Sequence, residues 1–259
     1  MSAAEFEKLD YRVMGQAYAS QNELGRLCDE CAYHSDLKAR LLANGFQSVL
    51  TEVPITVTHR DFSKQYFLDL IADNALYELK TDANLVGEHE SQLFNYMFLV
   101  GIPRAKLLNF RPPKLHGKII ATSLTQETRR DLKALTKRWQ DLTTACITLR
   151  ETMCDLLDDW GGFLEINLYQ EALTHLLGGA SKVEQRVSLR RNLIDLGGQR
   201  MFLHAPGVAF RVTAFTENQN HLESHLSRLL RVTELKAIQW INLNHAQIEF
   251  TTITKSSRE

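Results

Sequence analysis

A chain of 259 residues with ordinary apolar and charged fractions is long enough to bury one large core or two smaller ones. Its formal net charge of -1 excludes a globally basic nucleic-acid binder, so a polyanion would have to be met by a local patch. No apolar run approaches the roughly 18 residues a membrane span needs, and the first eight residues carry no signal-peptide pattern, so a cytoplasmic protein with no membrane partner is expected.

Residues 5–24 place Phe6, Leu9, Val13, Ala17 and Leu24 near helical spacing, and Gly25 interrupts them. A second helix is predicted from about Cys28 to Asn44, closed by Gly45. Cys28 and Cys31 form one CxxC with no second half, and with Cys146 and Cys154 they are read as reduced thiols. Leu50 to Thr58 alternates as a strand. Two apolar runs of strand composition then flank Asp73-Asn74, a pair that tolerates positive φ in a two-residue hairpin turn. A helix follows over Glu88 to Leu99, ended by Gly101-Ile102-Pro103, and two short strands run over Ala105 to Phe110 and Lys118 to Thr122. The order is helix, helix, three strands, helix, strand, strand: a mixed sheet with helices packed on it, α/β or α+β.

From Ser123 to Trp160 there is no Gly or Pro, which predicts one or two long helices. After it the pattern of the first half returns. A helix starts near Glu165 and Tyr169, a strand covers Val183 to Leu189, and Gln199–Ala205 with Val208–Phe215 forms a hairpin around Pro206-Gly207. A helix over His221 to Leu230 and a strand over Ala237 to Leu243 complete it. Glu90-Ser91 recurs as Glu223-Ser224, and Leu107-Leu108-Asn109-Phe110 as Trp240-Ile241-Asn242-Leu243, both at an offset of 133; Ala75-Leu76 recurs as Ala209-Phe210 at 134. The expected organisation is a first unit over 1–122, a helical connector over 123–158 and a second copy over 159–254.

Counting outward from Asp73-Asn74 sets Ala72 against Ala75, Ile71 against Leu76, Leu70 against Tyr77 and Asp69 against Glu78, with Lys80 on the same face. Opposed like charges destabilise a sheet, and a divalent cation held by oxygen ligands relieves them. Asp69, Glu78 and Lys80 are therefore a candidate metal site, with a structural ion pair as the competing reading. In the second copy either offset puts Phe202 or Leu203, Arg211 or Val212, and Thr213 or Ala214 at those places, so the frame is present without the charges. The remaining histidines, His34, His59, His89 and His116 among them, show no ligand spacing. His221 and His225, four apart, are read as a solvated helix face, and Arg186, Arg190, Arg191, Lys114 and Lys118 as charged loops.

The motif set in the first half is specific. Glu23-Leu24-Gly25 is followed by Glu30 and Tyr33; then come Asp69-Leu70-Ile71 with Glu78-Leu79-Lys80, His89-Glu90-Ser91-Gln92-Leu93, Asn95-Tyr96 and Leu107-Leu108-Asn109-Phe110. Residues 11 to about 122 thereby resemble the GxxExxY family, a branch of the PD-(D/E)XK nuclease-like superfamily. The departures are Gln21 at the family's His, Gly25-Arg26-Leu27 in place of its G-P-G turn, and Leu27 at the first Gly of G-x-x-E-x-x-Y. The second copy keeps Gly162-Phe163-Leu164-Glu165 but inserts one residue before Tyr169, and Glu165 is read as structural.

The resemblance implies a restriction-endonuclease-like mixed sheet flanked by helices, present as two tandem copies, the second degenerate. It implies a Mg²⁺- or Mn²⁺-dependent hydrolase of phosphodiester bonds acting on nucleic acid, DNA rather than RNA. Asp69, Glu78 and Glu30 would be metal ligands, Lys80 the water-positioning or charge-stabilising group, Glu30 also an auxiliary base, and Gln92 a polar support. Such enzymes pair their units, so a homo-oligomer or an intramolecular pseudo-dimer is expected. The alternatives are a non-catalytic binding or scaffold protein on the same fold, and a hydrolase of another phosphoester.

Overall fold

A computed structural model describes residues 1–255. In chain order the elements are α1 (Ala3–Leu24), α2 (Glu30–Ala43), β1 (Val49–His59), β2 (Phe62–Ala72), β3 (Ala75–Lys80), α3 (Gly87–Val100), β4 (Arg104–Asn109) and β5 (His116–Ala121). Then come α4 (Gln126–Arg130), β6 (Lys133–Arg138), α5 (Thr144–Trp160), α6 (Ile166–Leu176), α7 (Ala180–Val183), β7 (Glu184–Arg191), β8 (Ile194–Ala205), β9 (Val208–Thr213), α8 (Gln219–Arg231), β10 (Ala237–Asn244) and β11 (Gln247–Thr254). The chain divides into two compact units. Unit 1 is Met1–Val57 with Ser63–Thr125; unit 2 is Thr58–Phe62 with the chain from Gln126 onward. No helix among the described residues is long and apolar enough to cross a membrane, and all four cysteines are free.

Unit 1 is a five-stranded mixed sheet in the order β1-β2-β3-β4-β5. β2 and β3 are antiparallel, β3 and β4 parallel, β4 and β5 antiparallel. The parallel pair forms the middle, and its strands are buried almost end to end because both faces are covered. α1 starts on a capping box in which Ser2 and Glu5 satisfy each other's backbone N–H. Phe6, Val13 and Ala17 of α1 and Tyr33, Leu37 and Leu41 of α2 pack onto Leu70, Ala72, Tyr77, Leu79 and Leu108. Gln21, at the place where the resembling family carries His, is buried and donates Nε2 to the carbonyls of Phe110 and Pro112 at 2.7 and 2.9 Å, tying α1 to the loop after β4.

Unit 2 is a six-stranded mixed sheet in the order β6-β11-β10-β9-β8-β7, again flanked by helices. Its element order and strand pairing follow unit 1. β7, β8 and β9 are antiparallel neighbours, α8 crosses over, and β10 returns parallel to β9 and antiparallel to β11. Leu76 pairs with Ala105 as Ala209 pairs with Ile238, which sets the offset at 133 on both strands. Asn109 Nδ2 donates to the Asp82 carbonyl at 2.8 Å, and Asn242 Nδ2 donates to the Phe215 carbonyl at 2.9 Å, at that same offset. Tyr33 Oη donates to the carbonyl of Gly25, and Tyr169 Oη to that of Gly161. Each of these glycines ends the preceding helix, at φ of 74° and 80°. Two sheets of matching connectivity fit two copies of one unit.

The segment 123–160 departs from the expectation of long helices. α4 is one short turn and α5 starts only at Thr144, while Lys133–Arg138 between them forms β6, parallel to β11 at the edge of the sheet. Its Lys-Ala-Leu-Thr-Lys-Arg run suits a helix by propensity, and pairing with a partner more than a hundred residues later overrides that weak preference. The lysines suit an edge strand, where charge discourages further pairing. β11 itself, beyond Asn244, extends the second sheet by a strand that the hydrophobic pattern left unassigned.

The two tyrosine bonds give a paired test of the repeated frame. Tyr169 and its bond to Gly161 are fully buried, whereas the bond from Tyr33 to Gly25 is partly open to water. Urea unfolding is expected to cost about 2 kcal/mol for Tyr169→Phe and nearer 1 kcal/mol for Tyr33→Phe, with far-UV dichroism unchanged in both. Equal costs would contradict the burial difference.

Candidate active site

The ladder between β2 and β3 pairs Ala72 with Ala75, Ile71 with Leu76 and Leu70 with Tyr77, around a turn in which Asp73 and Asn74 take φ of 44° and 71°. It stops there. Asp69 does not continue as a paired residue opposite Glu78; its Oδ2 instead accepts the backbone N–H of Leu79 at 2.8 Å. The carboxylate thus takes the place of a main-chain acceptor and is fixed beside the C-terminal end of β3. Glu78, in the centre of the sheet, is completely buried, and its Oε1 accepts from Lys80 Nζ at 2.7 Å.

α2 brings two more groups. It begins at Glu30, directly after its N-cap Asp29, and Tyr33 anchors its first turn to Gly25. Gly25 therefore closes α1 although the residues after it are Arg26 and an exposed Leu27. One turn on from Glu30 lies His34, buried, with Nε2 3.8 Å from Asp69 Oδ2. Glu30, His34 and Asp69 each offer an atom within 4.8 Å of the others. His34 was set aside by the sequence reading. The signal was present in the spacing of Glu30 and His34, four apart on one helix face, but only α2's approach to β2 gives that spacing a third member.

The charges act on one another. Burial and the neighbouring Asp69 push the Glu78 carboxyl up to about 8, against the pull of Lys80. Burial also raises Glu30, which Lys80 opposes and Asp69 reinforces. Lys80 is half-buried, which works against its ammonium, yet Glu78, Asp69 and Glu30 together hold it above its ordinary value. Gln92 of α3 donates Nε2 to Tyr96 Oη at 2.9 Å and makes no direct bond to the carboxylates. Burial raises the Tyr96 hydroxyl and the charges of Glu78 and Asp69 add to this, so the Gln92–Tyr96 pair borders the acidic cluster.

The residues present fit a divalent cation. Glu78 Oε2 and His34 Nε2 are buried with no hydrogen-bond partner, and three carboxylates crowd one lysine. Oxygen ligands suit Mg²⁺, and one imidazole among them suits Mn²⁺ better.

Unit 2 carries none of this at the corresponding places. The tyrosine bonds and helix starts align Glu30 with Ile166 and His34 with Gln170; Glu165, the N-cap of α6, corresponds to Asp29. β9 and β10 align Glu78 with Arg211 and Lys80 with Thr213. A bulge between Leu203 and Ala205 shifts β8 by one residue, so Phe202 pairs with Phe210 as Leu70 pairs with Tyr77, and Met201 stands where Asp69 does. Neither offset read from the sequence predicts Met201, because the bulge adds a residue that the strand pattern does not show.

Residues 7–120 match the family model of the PD-(D/E)XK nuclease superfamily, and the mixed sheets flanked by helices are consistent with that fold. The match spans the acidic cluster and lies before unit 2's sheet. No curated protein and no solved structure matches the chain.

The buried Glu78 makes the metal-free protein pH-sensitive. Its folded carboxyl titrates above the ordinary 4.5, so the folded state holds a proton that the unfolded state has released. The resulting penalty is absent below about pH 4.5, grows as pH rises and is complete above about 8. Glu78→Gln in EDTA is expected to raise stability by about 1–3 kcal/mol at pH 9 and by much less at pH 5, read as thermal shifts. The lost Lys80 ion pair keeps the gain below the full effect. Equal gains at both pH values would refute the burial argument.

Proposed function

We propose that unit 1 is a metal-dependent nuclease of the GxxExxY branch of the PD-(D/E)XK superfamily, hydrolysing phosphodiester bonds with one active site per chain. The observation that carries this reading is the fully buried Glu78 beside Asp69, with one carboxylate oxygen unpartnered in a protein interior. An arrangement in which burial and Asp69 oppose the charge and Lys80 meets only one oxygen is hard to account for as scaffolding, since a well-packed neutral side chain would serve the fold better.

Asp69, Glu78 and Glu30 are the proposed ligands, with His34 as a fourth. A bound Mg²⁺ or Mn²⁺ would supply Lewis acidity toward a phosphoryl oxygen and lower the pKa of water. Lys80, held by Glu78, is placed to orient the attacking water and to balance negative charge as it develops. Glu30, whose proton affinity is raised by burial, suits the accepting of a proton from that water. Gln92 supports the rim by fixing Tyr96. DNA is the favoured substrate. Unit 2 is read as a copy that kept the frame and lost the catalytic groups, leaving an intramolecular pseudo-dimer or a homo-oligomer as the working assembly.

Linear and circular DNA and single-stranded RNA, each with Mg²⁺ or Mn²⁺, form the test panel. Lys80→Ala and Asp69→Asn are expected to lower the cleavage rate at least about 100-fold, and EDTA to abolish it. Cleavage untouched by these changes, or the absence of any metal binding, would sink the nuclease reading and favour a non-catalytic scaffold. A separate variant addresses the metal: His34→Ala should depress the Mn²⁺-supported rate more than the Mg²⁺-supported one, because imidazole contributes little to a Mg²⁺ site.

A further inference from the structure

The place in unit 2 that corresponds to the acidic cluster is a cavity of about 230 Å³. Ile166 and Gln170 of α6, Met201 and Phe202 of β8, and Arg211 of β9 line it, with Arg200 at its side. Four of these occupy the positions of Glu30, His34, Asp69 and Glu78. The electrostatic sign is reversed. Three carboxylates that call for a cation in unit 1 are replaced by two apolar side chains and a guanidinium.

Arg211 is exposed although it lies on an inner strand between the buried Phe210 and Val212, and it has no ion-pair or hydrogen-bond partner among the described residues. A guanidinium without a carboxylate in a concave site matches a phosphate, which it can grip through two parallel N–H donors. Arg200 differs: it is already paired with Glu184, and it lies over the Phe202 ring at 5.9 Å. Ile166, Met201 and Phe202 give an apolar wall suited to the flat face of a base. Gln170 and the neighbouring Asn167 supply amide groups suited to a base edge, and Gln170 Nε2 is buried with no acceptor.

We propose that this cavity binds a nucleoside phosphate and does not cleave it. A phosphate monoester on a nucleobase is the ligand chemistry, and it has two sources: a free mononucleotide, or the phosphorylated end of a strand. With no carboxylate at the aligned positions, binding needs no metal. The inference goes beyond the chemistry of unit 1 and is read out without it.

Isothermal titration of the full-length protein in EDTA tests it. The ligands are 2′-deoxyadenosine 5′-monophosphate, deoxyadenosine, inorganic phosphate, and a short oligonucleotide with or without a 5′-phosphate. The nucleotide should bind at least about 10-fold more tightly than the nucleoside or phosphate alone. Arg211→Glu should weaken it by at least about 10-fold, and Ile166→Trp should do so by filling the cavity. Arg211 is on the surface, so its exchange leaves the core untouched, and circular dichroism verifies both variants. A 5′-phosphorylated oligonucleotide that outcompetes the mononucleotide identifies a strand end as the source; the reverse order identifies the free nucleotide. Failure of the nucleotide to bind at millimolar concentration overturns the proposal. So does binding undiminished in Arg211→Glu, or phosphate alone binding as tightly as the nucleotide.

Discussion

A carboxylate without a water contact sits at the middle of the first sheet, and the arrangement around it follows from that constraint. Glu78 lies on a strand covered on both faces, so neither solvent nor a backbone donor is within easy reach. Lys80, two residues further on the same face, is the nearest compensation and satisfies only one of its two oxygens. In the metal-free fold a proton relieves the rest, which is why the Glu78 carboxyl is pushed up to about 8; a bound cation would do so in the proposed nuclease. α2 brings Glu30 and His34 to Asp69, beside Glu78, and Tyr33 contributes by holding the first turn of α2 against Gly25. Tyr77 and Leu79, on either side of Glu78, face α1 and α2, so Glu78 projects to the other face of β3, where Tyr96 of α3 lies within reach of its charge.

The second unit shows what the frame is when that constraint is lifted. The parallel strand pair, the crossover helix, the tyrosine bond behind the helix and the asparagine clamp after the central strand all return. None of them needs a charge. Thr213, at the place of Lys80, is instead absorbed into the core, donating to Asn242 and accepting from Trp240 Nε1. The fold is therefore held by apolar packing and neutral hydrogen bonds, and the charges of unit 1 are additions to it that cost stability.

Much of this was legible before any coordinates. The turn at Asp73-Asn74 and the two-residue period of strands fix three pairs of the β2–β3 ladder without tertiary information, and the order of elements in unit 1 follows from hydrophobic period and glycine placement. The fourth pair was not legible, because a side chain, Asp69, replaces a main-chain bond at that point. Nor was β6: its composition is helical, and its partner β11 lies far along the chain. His34 was visible as a spacing but not as a ligand, since a helix face acquires meaning only from what it is packed against. The bulge next to His204 defeated the count between the units for the same reason that bulges escape any alternation rule, by adding a residue without adding a pair.

The bond from Leu79 N–H to Asp69 has a bearing on the order in which such a site can decay. Glu78 and Lys80 are held by each other, and losing Glu78 relieves the fold. A lineage released from selection for turnover can discard it at once. Asp69 is different, because its removal leaves a main-chain donor between two strands with no acceptor, a cost that selection for folding continues to oppose. Unit 2, with Met201 at the corresponding place, has a frame built without this acceptor; in unit 1 the aspartate serves main-chain pairing as well as any chemistry. Of the three charges, Asp69 alone is bound to the backbone of the neighbouring strand, so its presence follows from folding as much as from chemistry, whereas the side chains of Glu78 and Lys80 bond only to each other among the described residues.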